Sequence, residues 1–194
     1  MNIKRRFTEQ GTDVWTTVKW AQRSTRIANT DGSVVFEMND AWVPEQWTQL
    51  ATDIMVSKYF RKAGVPQVDD GGTPLLDDDG NQQTGPERSA RQVIHRLAGC
   101  WRAWGEAHDY FDTPEDAEAF YDEMCWMMLH QIGAPNSPQW FNTGLHWAYG
   151  IDGAGQGHSY VDYKTGKLTK SESAYEHPQP HACFIQSIAD DLVN

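Results

Sequence analysis

Cysteine is scarce in this chain: three residues in 194, at Cys100, Cys125 and Cys183. The number is odd and the spacings are wide, which argues against a disulfide framework and against a paired-cysteine zinc knuckle. A reducing compartment is the natural inference. Long apolar runs are missing too, so neither a secretory leader nor a membrane-crossing helix is expected, and the chain reads as soluble and cytoplasmic. Basic residues are outnumbered, with 16 Lys and Arg against 27 Asp and Glu and a formal net charge of -11. That balance argues against non-specific binding to a nucleic-acid backbone, which needs clustered cations to release counterions. It leaves room for small phosphorylated ligands held by a few backbone N–H groups. The basic residues near the start (Lys4, Arg5, Arg6, Lys19, Arg23, Arg26) read as a solvated charged face.

Burial capacity, by contrast, is ample. Hydrophobic residues make up 39 % of the chain and nine are tryptophan, and each apolar side chain taken out of water contributes about 1.5–3 kcal/mol. The mean hydropathy of -0.66 is low for this length, which suggests long polar connections or surface lent to a partner. Residues 12–20 alternate, with Val14, Thr16, Val18 and Trp20 on one side. Asp31-Gly32 then precedes Val34-Val35-Phe36-Glu37-Met38, so a β-hairpin is expected with its turn at Asp31-Gly32. Pro44 stands where a helix could open. Trp47, Leu50, Ala51, Ile54, Met55 and Tyr59 recur at three- and four-residue steps, predicting one apolar helical stripe ended by Gly64 and Pro66.

Residues 67–86 are polar, acidic and glycine-rich and read as a linker. Their Asp77-Asp78-Asp79-Gly80 lacks the later ligands of a calcium loop. Two helices are predicted next, near 87–106 and from the Thr113 N-cap to about Gly133. They carry Cys100 and Cys125 as buried small residues. The expected organisation is residues 1–66 as hairpin plus helix, 67–86 as linker, 87–134 as a helical region, and 135–194 as a region of different chemistry. In that last region 158–163 alternate like a strand, 164–167 read as a turn, and 183–188 read as a buried strand.

The chemistry concentrates in two stretches of the last third. One is Ala134-Pro135-Asn136-Ser137-Pro138-Gln139-Trp140-Phe141-Asn142-Thr143-Gly144. The other is Tyr175-Glu176-His177-Pro178-Gln179-Pro180-His181-Ala182-Cys183-Phe184. Each pairs a donor-rich turn with apolar residues, and the second places a thiol at the head of an apolar strand, a way to build a redox site on a rigid element. His177, His181 and Cys183 are all ligand types, so a small metal site is an alternative; it lacks a fourth ligand, and buried or capping histidines compete with it.

These two stretches, with Ser57-Lys58-Tyr59-Phe60-Arg61-Lys62-Ala63-Gly64-Val65-Pro66 upstream, closely resemble the adenosylcobalamin-dependent (class II) ribonucleotide reductases. The resemblance covers most of the chain and is least constrained over 67–86. It implies an α+β front region followed by the first strands of a ten-stranded α/β barrel. It implies that Cys183 is one of a redox-active thiol pair beneath the ribose, re-reduced by thiol–disulfide exchange with a thioredoxin-type reductant. Ser137 matches the position that engages substrate phosphate, with Asn136 and Ala182 beside the substrate. Ala182 is often Ser in other classes, so no side-chain hydroxyl is offered there. Asp190 falls where the family binds the ribose of a deoxynucleotide or ATP effector, with Asp191 one position away. The radical cysteine, the second redox cysteine and most of the cobalamin surface have no counterpart in these residues. The chain therefore reads as the front portion of a larger, homodimeric enzyme, inactive until a complementary C-terminal portion completes it. A non-catalytic assembly or regulatory module is the competing reading.

Overall fold

A computed structural model describes residues 1–69, 72–155, 157, 159–162 and 164–172. The predicted hairpin is present but starts later than the alternation suggests. Residues Val14–Thr17 form one 3-10 turn capped by Asp13, whose side chain accepts from the Trp15 N–H. The alternating residues there serve a helical turn that buries Val14 and Trp15 together. Strand β1 then runs Trp20–Ala28 and pairs antiparallel with β2, Val34–Pro44. The turn lies where expected: the Gly32 N–H donates to the Asn29 carbonyl and Gly32 has φ 87°. A register shift between Arg23 and Thr25 lets Thr25 point inward with Met38, Ala41 and Val43, as a bulge does by re-aiming side chains.

Pro44 closes β2 instead of opening a helix. Helix α1 begins at Gln49 (Gln49–Ile54), capped by the Thr48 hydroxyl on the Ala51 N–H. It runs directly into a single π-helical turn, Met55–Tyr59. The extra residue per turn rotates the following face. Trp47 and Met55 of the predicted stripe are buried, as are Val56 and Phe60, while Leu50 and Ile54, which precede the π turn, stand 69 % and 45 % exposed.

Residues 65–85 fold back on themselves. The short strands β3 (Val65–Pro66) and β4 (Thr84–Gly85) pair, and single bridges join Val68 to Pro74 and Leu76 to Gln82. Asp69 and Asp77 each close a turn by accepting the N–H four residues on, from Thr73 and Asn81. The segment buries little surface, as its composition requires, but its backbone groups are paired through these turns.

Helix α2 (Ala90–Ala107) carries a capping box between Ser89 and Gln92, and α3 (Pro114–Leu129) carries another between Thr113 and Asp116, with Pro114 in the first turn. Both satisfy orphan N–H groups reciprocally. These two helices pack on the hairpin and the π turn. Val93, Ile94 and Leu97 of α2 meet Cys125, Met128 and Leu129 of α3 in one core that includes Trp15, Val43, Trp47, Phe60 and Trp140. The Trp47 indole reaches across it to the Leu129 carbonyl at 2.8 Å. Two short helices follow, α4 (Ser137–Asn142) and α5 (Leu145–Tyr149). Strands β5 (Ser159–Val161) and β6 (Leu168–Lys170) then form a small hairpin, its first arm within the strand expected at 158–163 and its second arm not foreseen. The described architecture is mixed, with helices and small antiparallel sheets.

Candidate functional site

The Asn136–Gly144 stretch forms a short rigid shelf. Asn136 is extended (φ -68°, ψ 161°) and Pro138 sits in the first turn of α4, where a missing N–H costs nothing. Ser137 is exposed on that turn, and its hydroxyl lies 3.0 Å from the Tyr59 hydroxyl. The Tyr59 ring in turn packs on Trp140 and Phe141, with centroids 5.8 and 5.3 Å apart. The π turn thus orients the very serine that the sequence singled out.

What holds the shelf in place is a buried ion pair that sequence reasoning missed. Arg96 of α2 and Glu87 just before it are both fully buried and meet at 2.8 Å (Nε to Oε1). The guanidinium also donates to the carbonyls of Thr143 and Trp140, each at 2.7 Å, and to that of Tyr59 at 3.3 Å. Glu87 accepts further from the Arg61 N–H at 2.7 Å and from the Tyr149 hydroxyl at 2.8 Å. One charge pair therefore ties the π turn, α2, α4 and α5 together. Desolvating two charges is tolerable only where such extra hydrogen bonds satisfy the remaining donors and lone pairs. The Tyr149 hydroxyl is pushed well above its ordinary pKa by burial and by the neighbouring Glu87 charge, so it stays a donor. The signal for this pair was the charged residue set beside the apolar stripe Val93, Ile94, Leu97, on the flank that also carries Gly99 and Cys100.

Backbone approach completes the arrangement. Gly144 has φ 81°, and a Cβ there would fall 2.0 Å from the Arg96 carbonyl oxygen. Only glycine lets the chain turn from α4 into α5 against α2.

Cys100 and Cys125 sit in α2 and α3 as buried free thiols, as expected. Burial pushes the Cys100 pKa up to about 11, against weaker opposing pulls from the Gly144 N–H and Arg96. Burial likewise raises Cys125 well above the usual thiol range. Neither offers thiolate at neutral pH, so neither suits thiol exchange. Of the other residues read from the sequence, Cys183, Ala182, His177, His181, Asp190 and Asp191 lie outside the described residues. Ser137 and Asn136 are adjacent on one exposed turn. Among the described residues no cluster of three or more His, Cys, Asp or Glu could hold a metal ion, and no helix is long and apolar enough to cross a membrane. The basic residues near the start are not simply solvated. Arg5 pairs with Asp122 at 2.6 Å, and Arg23 donates to the backbone carbonyl of Glu45 at 2.7 Å and to that of Trp47.

Comparison with known proteins gives the geometry a context. Residues 21–131, more than half of the chain, match the family model described as class II vitamin B12-dependent ribonucleotide reductase. The vitamin B12-dependent ribonucleotide reductase of Agrobacterium fabrum is 54% identical across 100% of this chain, and that of Bradyrhizobium diazoefficiens is 53% identical across 100%. The one from Rhodopirellula baltica is 41% identical across 95%. The chain spans only 16%, 17% and 16% of these relatives' lengths. On the strength of the matched 21–131 segment, this chain belongs to the class II vitamin B12-dependent ribonucleotide reductases, as an N-terminal portion of one.

Proposed function

We propose that the chain is the N-terminal portion of a reductase that converts ribonucleotides to deoxyribonucleotides by a thiyl-radical mechanism. Identity of 54% along its whole length to such an enzyme is the observation that carries this reading. In the proposed reaction a thiyl radical formed on another part of the enzyme removes the ribose 3′-hydrogen. The 2′-hydroxyl is then protonated and leaves as water. Cys183 and a second cysteine beyond this chain supply two electrons and end as a disulfide. The 3′-hydrogen is returned from the first thiol, and a thioredoxin-type reductant resets the pair.

Ser137 holds substrate phosphate from the first turn of α4, with Asn136 beside it and Ala182 next to the redox thiol. The Tyr59 contact and the Arg96–Glu87 tie support this, because they fix the exposed serine on a rigid element, as positioning demands. Asp190, or its neighbour Asp191, meets the ribose of a deoxynucleotide or ATP effector. The first barrel strands begin within 135–194, and catalysis requires the rest of the barrel and a homodimer of the completed enzyme.

The cofactor is adenosylcobalamin, and the described part of this chain does not fit it. Four open cavities among the described residues hold about 360 to 430 Å³ each, less than a corrin with its adenosyl and nucleotide arms needs. The cobalamin surface is therefore assigned to the remainder of the reductase. The remainder itself packs against an apolar groove of about 400 Å³ between α1 and the end of α3, lined by Ile54, Met55, Tyr59, Ile132, Pro135 and Trp140. Ile132 is 63% exposed there, a surface that a longer polypeptide would cover.

The test is a pair of cysteine variants in the completed enzyme. C183S abolishes turnover with a thioredoxin-type reductant, and C125S leaves it nearly intact. Equal turnover in the two variants would defeat the redox assignment.

A further inference from the structure

We propose that the cavity between the π turn and the far end of α4 is an oxyanion site that takes the phosphate groups of a small ligand, separate from the Ser137 turn. The cavity holds about 410 Å³ and is framed by Lys58, Arg61, Lys62 and Asn142, with Tyr59 and Phe141 as its aromatic walls. Three cationic residues within five positions line one cavity in a chain of net charge -11.

The local fold produces this convergence. The π turn ends where the Phe60 N–H donates to the Met55 carbonyl, and Phe60 then leaves in extended geometry (φ -64°, ψ 131°). Lys62 folds back over the turn. Its ammonium donates to the Val56 carbonyl and sits 4.1 Å from the centroid of the Phe36 ring. Burial pulls its pKa down to about 8; Glu87 opposes this and Lys58 adds to it. The Glu87 carboxylate is already engaged by Arg96, Tyr149 and the Arg61 N–H. Lys62 is thus a desolvated cation beside a second cation, which an anion in the cavity relieves. Arg61, its Nε tied to the Ala63 carbonyl at 3.0 Å, adds fixed positive charge to the rim. Asn142, the last residue of α4, lines the same cavity and brings a neutral amide to its set. Phosphate oxygens match this set of ammonium, guanidinium and amide groups.

Binding there needs no catalytic turnover, so it is read independently of reductase activity. Calorimetric titration of the 194-residue chain at low salt uses inorganic tripolyphosphate in one arm and ATP in the other. Saturable one-to-one binding is expected in at least one arm. Tighter binding of ATP identifies a nucleotide as the source, and equal or tighter binding of tripolyphosphate identifies free polyphosphate. K58A and K62A each weaken it about tenfold to a hundredfold, the loss of a charge-assisted hydrogen bond. K62R restores most of the K62A loss, and K167A, on the β5–β6 hairpin, changes nothing. Should K62A fail to fold by circular dichroism, the exposed Lys58 decides alone. Absence of saturable binding in both arms, or affinity unchanged in K58A, overturns the proposal.

Discussion

At the scale of single residues, the Arg96–Glu87 pair is where the shelf is most vulnerable. Replacing Arg96 by Ala strands a fully buried carboxylate and frees three backbone carbonyls. Breaking such a pair costs about 3–5 kcal/mol, so R96A should lower the urea midpoint by that much stability, while exposed R102A should leave it nearly unchanged. Gly144 is equally intolerant. G144A meets both a left-handed backbone, worth about 1–2 kcal/mol, and the Arg96 carbonyl 2.0 Å from the new methyl. It should melt at a clearly lower temperature than G133A, where a Cβ meets nothing within 4 Å. Both the pair and the glycine eluded the sequence for one reason. The pair itself joins residues nine apart, but the carbonyls it holds and the close approach at the glycine link segments about fifty residues apart, Arg96 with Thr143 and Gly144, and no local pattern encodes those. The turn around the serine was legible, because Asn136-Ser137-Pro138 carries its turn chemistry in three adjacent residues, whereas Ser137 itself was singled out by the family resemblance.

At the scale of elements, capping was the most readable signal. Thr113 starts its helix where the residues say it should, whereas the Ser89–Gln92 box that opens α2 at Ala90 was not read, and that helix was expected from about residue 87. Alternation was the least readable over 12–20, because a period of two over a few residues does not exclude a 3-10 turn that buries Val14 and Trp15 side by side. The apolar stripe held in part: Trp47 and Met55 are buried and Ala51 and Tyr59 pack on the core, while Leu50 and Ile54 stay exposed, and the π turn that ends α1 is a change of period that a 3.6-residue template does not foresee.

The N-terminal arm, unassigned from the sequence, docks on α3 through carboxylates. Asp116 accepts from the Ile3 N–H at 2.7 Å, and Glu123 from the N–H groups of Phe7 and Thr8 at 3.0 and 2.8 Å. The Ile3 N–H holds the Asp116 pKa below its ordinary 3.8, with help from Thr113. For Glu123 burial pulls upward, but the hydrogen bonds from Thr8, Phe7 and Arg6 win and leave its pKa below 4.5. A depressed carboxylate stabilises above its unfolded pKa and stops doing so as pH falls through the folded value. Asp122 opposes this, since burial raises its pKa despite Arg5. Amide exchange at Phe7 and Thr8, corrected for intrinsic rate, should therefore accelerate as pH falls below 4.5. In E123Q that pH dependence should vanish at Phe7 and Thr8 and persist at Ile3.

At the scale of the whole molecule, the described residues enclose one core yet leave large apolar side chains outside it. Ile54, Ile132 and Phe141 are 45%, 63% and 45% exposed around the shelf, in a chain that spans 16% of its Agrobacterium relative. If the remaining polypeptide covers this face, the double variant I54D/I132D should weaken its association with this chain by about 2–4 kcal/mol, two buried apolar contacts replaced by charge. Circular dichroism of the isolated variant should stay unchanged, because neither side chain belongs to the core.

The most direct measurement mixes this chain with the complementary C-terminal portion of the reductase and follows deoxynucleotide formation with adenosylcobalamin and a thioredoxin-type reductant. The account predicts product only when both polypeptides and the cobalamin are present, and none when the chain carries C183S. Product formation at the wild-type rate with C183S, or by the C-terminal portion alone, would contradict it.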